Sequence, residues 1–184
     1  MVRRQPRSQP TWTDVKAKLA SFDRRGLLCL IQDLYAANSD NRTFLHARFG
    51  LGEDALKPYK EALSRWLWPD VLRKQDTSVL KAKQAISNYR KAIVEPAGLA
   101  ELMVFYCELA AGFCSDIGNE DESYFGALEG MFQQALKVMT ELSAGDRKAL
   151  LDRLKRVRDV SHNFGYGVAD SMDSMLAKHE RRRA

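Results

Sequence analysis

The stretch EPAGLAELMVFYCELAAGFCSDIG, residues 95–118, decides the fold of this chain. After the leading glutamate, its only charged residues before Asp116 are Glu101 and Glu108, which the helical period of about 3.6 residues places on one face. Almost every other position is apolar or small, so neighbouring elements must cover the helix on most sides. The sequence therefore predicts a buried central helix over residues 96–117, begun by a proline and closed by a glycine.

Length and composition are those of a compact, soluble protein. The chain has 184 residues, of which 45% are hydrophobic and 29% charged, a size at which one core usually suffices. We expect a single domain over residues 11–177, with flexible basic tails at residues 1–10 and 178–184. Glu101, Glu108 and Ser115 form a narrow polar seam along the central helix. This seam interrupts the only apolar run that suggests a bilayer span, so no membrane is expected. The basic N-terminus lacks the apolar run of an export signal, which favours a cytoplasmic protein.

The three cysteines agree with a reducing compartment. Cys107 and Cys114 are seven residues apart on the central helix, a rise of about 10 Å, whereas a disulfide allows a Cα separation of at most about 7 Å. Cys29 lies in the apolar run LLCLI, a setting typical of a small core residue. No CxxC pair or histidine cluster suggests zinc, and we expect neither a metal nor a cofactor.

Apolar residues recur at helical spacing along the rest of the chain, and no segment shows the alternation of a strand. The predicted fold class is therefore all-α, a bundle of eight or nine helices in antiparallel hairpins around the central one. Capping residues predict helix starts at Asp23, at Thr77 or Ser78, at Asn119 and at Ser143, and a further helix is expected over residues 52–68. The apolar face of the second helix comprises Leu27, Leu30, Ile31, Leu34 and Tyr35.

Residues 161–170, SHNFGYGVAD, are the best candidate for a binding site. His162, Asn163, Tyr166 and Asp170 place four hydrogen-bonding side chains around two glycines, an arrangement from which a ligand niche can be built. The alternative is a plain turn, because two glycines within three residues cost about 2 kcal/mol of helix propensity and favour a break over a kinked helix. We assign Gly165 and Gly167 to the turn and keep the four polar side chains as a binding hypothesis.

Charge is segregated along the chain. The formal net charge is +5, with +3 at each tail, so the remaining 167 residues sum to −1. Residues 92–136 contain eight acidic and no basic residues, while residues 73–91 contain six basic residues against one aspartate. The simplest interpretation is that adjacent helices of opposite charge complement each other.

Two clusters of acidic residues can be interpreted either as a functional site or as a structural feature. The cluster DIGNEDE, residues 116–122, offers oxygen ligands without the spacing of a calcium loop, and acidic residues favour a helix start in any case. Glu101 and Glu108 are separated by a rise of about 10 Å and have no companion histidine, so a solvated seam or an ion pair with the fifth helix is favoured over acid–base catalysis.

Three segments together resemble an uncharacterised family of small all-helical bacterial proteins of unknown function. They are DLYAANSDNRTFLHARFG at residues 33–50, LAELMVFYCELAAGFCSDIG at 99–118 and SYFGALEGMFQQALKVM at 123–139. The resemblance covers about residues 12–177. Its motifs are patterns of helix packing, so it implies an all-helical fold and no active site.

We interpret the chain as a non-enzymatic interaction module that binds a protein partner or itself, with no catalytic residue assigned. A nucleic-acid-binding accessory protein is the second hypothesis, and a small-molecule enzyme is the third. For nucleic acid, the tails predict weak, sequence-independent binding, since no aromatic platform or reading helix is evident. The residues in question are Arg3, Arg4, Arg7, Arg181, Arg182 and Arg183 in the tails, with Lys81, Lys83, Arg90 and Lys91 in the body.

Overall fold

The computed structural model describes residues 9–118 and 121–181. Within these two ranges the chain forms nine α-helices, two 3₁₀ turns and no strand, so the predicted all-α class is confirmed. The α-helices are α1 (Trp12–Leu19), α2 (Arg24–Ala37), α3 (Ser39–Arg48), α4 (Lys57–Leu67), α5 (Val79–Ala92), α6 (Pro96–Ile117), α7 (Glu122–Val138), α8 (Ala144–Ser161) and α9 (Val168–Arg181). The 3₁₀ turns are Val71–Arg73 and Met139–Glu141.

The helices belong to two compact units, Met1–Leu45 and His46–Ala184. The first unit holds α1, α2 and the greater part of α3, and the second holds α4 to α9. Each unit is described by itself, and the single domain expected over residues 11–177 stays a prediction.

α6 is the centre of the second unit, as predicted. It packs against α4, α5, α7 and α8, and eleven of its residues are buried. Among the described residues, α6 alone has the length and composition to cross a bilayer, yet 67% of its most apolar window is buried inside the fold. Neighbouring helices therefore cover the side chains that lipid would otherwise contact, which makes α6 a core helix.

Side-chain caps begin several helices at the expected residues. The Asp23 carboxylate accepts a 2.7 Å hydrogen bond from the backbone N–H of Gly26 at the start of α2. The Ser143 hydroxyl accepts a 3.3 Å hydrogen bond from the backbone N–H of Asp146 at the start of α8. These bonds satisfy N–H groups that the first helical turn leaves without a partner, which is why such residues mark helix starts.

Two helix starts differ from the expectation. α4 begins at Lys57, five residues after Gly52, and so Pro58 stands in its first turn instead of interrupting it. A proline fits there because its missing N–H has no helical partner at that position. α7 begins at Glu122 behind Asp121, whose side chain accepts from the backbone N–H of Ser123. The expected cap, Asn119, lies outside the described residues.

The long apolar period near the C-terminus breaks into two helices at its glycines, as predicted. α8 ends at Ser161 and α9 begins at Val168. In the turn between them, Tyr166 and Gly167 both have positive φ angles, of 63° and 69°. α9 then continues to Arg181, past the expected tail boundary at residue 178, and its residue His179 is buried.

We expect Gly167→Ala to lower the free energy of unfolding by about 1 kcal/mol, because a Cβ is strained at a φ of +69°. Gly165→Ala is the matched control: its φ is not positive, and the added methyl group would meet no atom within 4 Å. Urea denaturation of both variants measures the difference. Equal losses of stability in the two variants would contradict the assignment of the left-handed position to Gly167.

Candidate functional site

A polar cluster joins three helices of the second unit. Arg153 of α8 donates from Nε to Glu108 Oε1 at 2.8 Å and from Nη2 to Glu108 Oε2 at 2.7 Å. Its Nη1 donates to Glu101, whose other oxygen accepts a 2.6 Å hydrogen bond from Lys60 of α4. None of the four side chains is more than 33% exposed. Both carboxylates of the α6 seam are thus paired with cations.

These ion pairs decide between the two interpretations of the acidic seam. Burial alone would raise the pKa of Glu101, but hydrogen bonds from Arg153 and Lys60 outweigh it and hold this pKa below its usual value. A carboxylate stabilised in its charged form suits the cross-linking of helices and makes a poor proton donor near neutral pH. The expectation that the seam would be solvated or would pair with the fifth helix was wrong, because the cations that pair with it come from α4 and α8.

The polar residues of SHNFGYGVAD lie at the turn between α8 and α9. His162, Asn163, Tyr166 and Asp170 are all exposed. The Tyr166 ring lies against the ring of Phe125 in α7, with centroids 5.7 Å apart, and Phe164 stacks on the same ring at 5.6 Å. Aromatic contacts therefore anchor the turn to α7. A binding role for the four polar side chains stays a prediction.

The predicted tail contacts fall mostly beyond the described part of the chain. Arg181 is described and is exposed at the end of α9. The other tail residues lie outside the described residues, and their contacts with nucleic acid stay a prediction; they are Arg3, Arg4, Arg7, Arg182 and Arg183.

A cavity of about 390 Å³ lies beside the start of α6. Residues of both charges line it: the basic residues are Arg90 and Lys137, and the acidic residues are Glu95 and Glu141. The other lining residues are Ile93, Val94, Pro96, Leu99, Gln134 and Val138. These ten lining residues include no cysteine, histidine, serine or threonine, so the cavity offers no thiol, imidazole or aliphatic hydroxyl group as a nucleophile.

The first unit carries a dense set of exposed apolar side chains. No residue of Trp12–Leu19 or Arg24–Ala37 is buried. Trp12 is 69% exposed, Leu28 57% and Ile31 46%. Five further large apolar side chains of this unit are exposed, namely Val15, Phe22, Leu27, Leu34 and Tyr35. Single exposed apolar residues are ordinary on protein surfaces, but a set of them on two successive helices is typical of an interaction surface.

On α2 the exposed apolar side chains form a continuous stripe. With successive residues about 100° apart around a helix, its members occupy an arc of about 120°, the width typical of a helix that packs against a partner. We call these five residues the α2 stripe: Leu27, Leu28, Ile31, Leu34 and Tyr35. The stripe offers contact area for another apolar surface and no chemistry of its own.

The sequence predicted the apolar face of α2 but not its exposure. Helical periodicity reports which side chains share a face, and it does not report what lies over that face. Cys29, expected to be a small core residue, is exposed, whereas Cys107 and Cys114 are buried. The expectation for Cys29 was wrong because the run LLCLI belongs to a helix without buried residues.

Comparison with known proteins adds no family to these observations. No protein-family model matches the chain, and neither the curated proteins nor the solved structures contain a match to it.

Proposed function

We propose that this protein is a non-enzymatic interaction module of the cytoplasm, and that the α2 stripe is its docking surface. The observation that carries the proposal is the exposure of the stripe on α2, in a unit whose helices α1 and α2 bury no residue. The occupant that we propose is a second copy of this chain.

The need for a partner follows from the size of the first unit. A unit of about forty residues rarely buries enough surface to be stable alone, and most helical stability in proteins comes from packing an apolar face. The first unit spans residues 1–45, and no residue of α1 or α2 is buried, so covering their exposed apolar side chains would add packing that the unit lacks. Covering a large aliphatic side chain contributes about 1.5 to 3 kcal/mol, so a few stripe residues are enough to drive association.

A second copy fits this surface because charge does not oppose it. Residues 11–45 carry five basic and four acidic side chains, so two such surfaces repel each other little. A two-fold axis near Ile31, in the middle of the stripe, would pack each stripe against its own copy, which is the commonest arrangement in homo-oligomers. A strongly charged partner, in contrast, would find no complementary field among residues 11–45.

We expect Ile31→Asp to convert a dimer into a monomer, because two carboxylates would face each other without a cation at the centre of the interface. Gln32→Asp is the matched control, since it adds the same charge one residue along α2, about 100° away from Ile31. Sedimentation velocity of the full chain and both variants gives the oligomeric state. Thermal unfolding followed by circular dichroism shows whether each variant stays folded.

Two results would contradict this proposal. A wild-type chain that sediments as a monomer at every concentration would exclude self-association and leave a different protein as the occupant. Equal dissociation in Ile31→Asp and Gln32→Asp would mean that added charge, and not loss of the stripe, separates the copies.

A further inference from the structure

The outer face of α5 carries positive charge that is not paired by any carboxylate within ion-pair distance in the described part of the chain. The helix has no acidic residue, and its four cations, Lys81, Lys83, Arg90 and Lys91, are exposed. Within the described residues, none of the four makes an ion pair. The sequence suggested that acidic residues of the following helices would complement them, but Glu101 and Glu108 pair with Lys60 and Arg153.

The cations border the outer face on both sides. The buried side of α5 is formed by Ala82, Ala85, Ile86 and Tyr89. With successive residues about 100° apart, Lys81 lies along one edge of the exposed arc, and Lys83 and Arg90 lie along the other, about 180° to 200° away. Gln84, Ser87 and Lys91 lie between the two edges and present an amide, a hydroxyl and an ammonium group.

Neighbouring side chains hold the two ends of this face. At the N-terminal end, Lys81 Nζ lies 3.8 Å from the ring centroid of Trp66, and the guanidinium carbon of Arg65 lies 4.4 Å from it. At the C-terminal end, Arg48 donates to the carbonyl of Lys91 and adds another guanidinium. The face from Lys81 to Lys91 is about 15 Å long. Lys81, which is held over the Trp66 ring, therefore loses less conformational freedom when it binds an anion.

We propose that α5 binds duplex DNA by lying in the major groove. That groove is about 12 Å wide and admits an α-helix, so cations on opposite edges of the helix would face the phosphates of the two strands. Gln84 and Ser87 would then face base edges, and the exposed side chain of Leu80 suits a thymine methyl group. This gives the α5 cations a defined binding geometry on the folded body, in addition to the weak binding expected of the tails.

The middle of the face favours DNA over the other anionic partners. An anionic membrane would require apolar side chains between the cations, but between the two edges lie polar side chains, the cation Lys91 and a single large apolar residue, Leu80. Duplex RNA has a deep, narrow major groove that side chains cannot read. An acidic protein surface could bind cations on a single side of the helix and would not need them along two opposite edges. Comparing the binding of polyglutamate with that of duplex DNA distinguishes these two partners.

Fluorescence anisotropy with a labelled mixed-sequence DNA duplex tests this proposal on the full chain. In the variant K81Q/K83Q/R90Q/K91Q we expect affinity to fall at least about tenfold and the slope of log K against log salt to decrease by about 3 to 4. The matched control K57Q/K148Q/R156Q/K178Q removes four exposed cations from other helices and should change affinity less than about threefold. Circular dichroism melting checks that both variants fold.

A separate variant tests how much the basic tails contribute to DNA binding. Substituting glutamine for Arg3, Arg4, Arg7, Arg182 and Arg183 keeps α9 complete, whereas truncation after residue 177 would remove the buried His179. Equal losses of affinity in the α5 variant and its control, or complete loss in the tail variant alone, would overturn the proposal. So would a wild-type protein that binds polyglutamate or duplex RNA more tightly than duplex DNA.

Discussion

Replacing Met103 with aspartate should leave the chain without a folded second unit. Met103 is 0% exposed in the middle of α6 and lies about 160° around the helix from Glu101, away from the cations of the polar seam. The substitution removes an apolar side chain whose burial contributes about 2 to 3 kcal/mol and adds a carboxyl group without a partner, which costs several kcal/mol more. Natural domains are stable by only about 5 to 15 kcal/mol.

Phe105→Asp is the matched variant and should be milder. Phe105 is only half-buried and lies about 40° around α6 from Glu101, and Lys60 Nζ lies 5.3 Å from the centroid of its ring. A carboxylate at this position has a cation within reach. Thermal and urea unfolding followed by circular dichroism measure both variants. A cooperative transition of Met103→Asp as stable as that of Phe105→Asp would contradict the central position of α6.

Gly98→Ala should destabilise the second unit by about 3 kcal/mol, at the upper end of the usual cost of overpacking. A Cβ at Gly98 would overlap the hydroxyl oxygen of Tyr89 and lie 2.8 Å from its Cζ. Tyr89 is buried and packs edge-on against Tyr59 with ring centroids 5.2 Å apart, so it has little room to move. The close approach of α5 and α6 therefore depends on the absence of one methyl group.

Two further variants separate this clash from the helix propensity of glycine. Tyr89→Phe removes the overlapping oxygen, so it should recover part of the stability lost in Gly98→Ala when the two substitutions are combined. Gly126→Ala adds a methyl group in open space on α7 and should stabilise the protein by up to about 1 kcal/mol. Urea denaturation gives all four free energies of unfolding. Strictly additive effects of the Gly98 and Tyr89 substitutions would exclude the clash as the cause.

Local sequence rules predicted those parts of the fold that local interactions determine. The bounds of α6 followed from its nearly continuous apolar run, with Pro96 in the first turn and Gly118 in a left-handed conformation at its end. The break between α8 and α9 followed from two glycines. The start of α4 was missed by five residues, because acidic residues after Gly52 suit a helix start whether or not the helix begins there.

The candidate site could not be predicted, because it depends on contacts between distant residues. The α2 stripe has the same periodicity as the apolar face of a core-facing helix. Nothing in the sequence from Leu27 to Tyr35 indicates whether this face is exposed or buried. The same holds for the seam of α6: Glu101 and Glu108 were expected to be solvated or to pair with the fifth helix, whereas Arg153, 45 positions beyond Glu108, pairs with both. Spacing along the chain carries no signal for such a contact.

Double electron–electron resonance spectroscopy of the spin-labelled wild-type chain tests self-association most directly. Cys29 is exposed while Cys107 and Cys114 are buried, so a spin label reacts with one site per chain. Cys29 lies about 160° around α2 from Ile31, so the label stays outside the proposed interface. We predict a defined distance distribution between the labels of two copies, which disappears in Ile31→Asp and persists in Gln32→Asp. A featureless background decay in the wild-type protein would contradict the docking of the α2 stripe on a second copy.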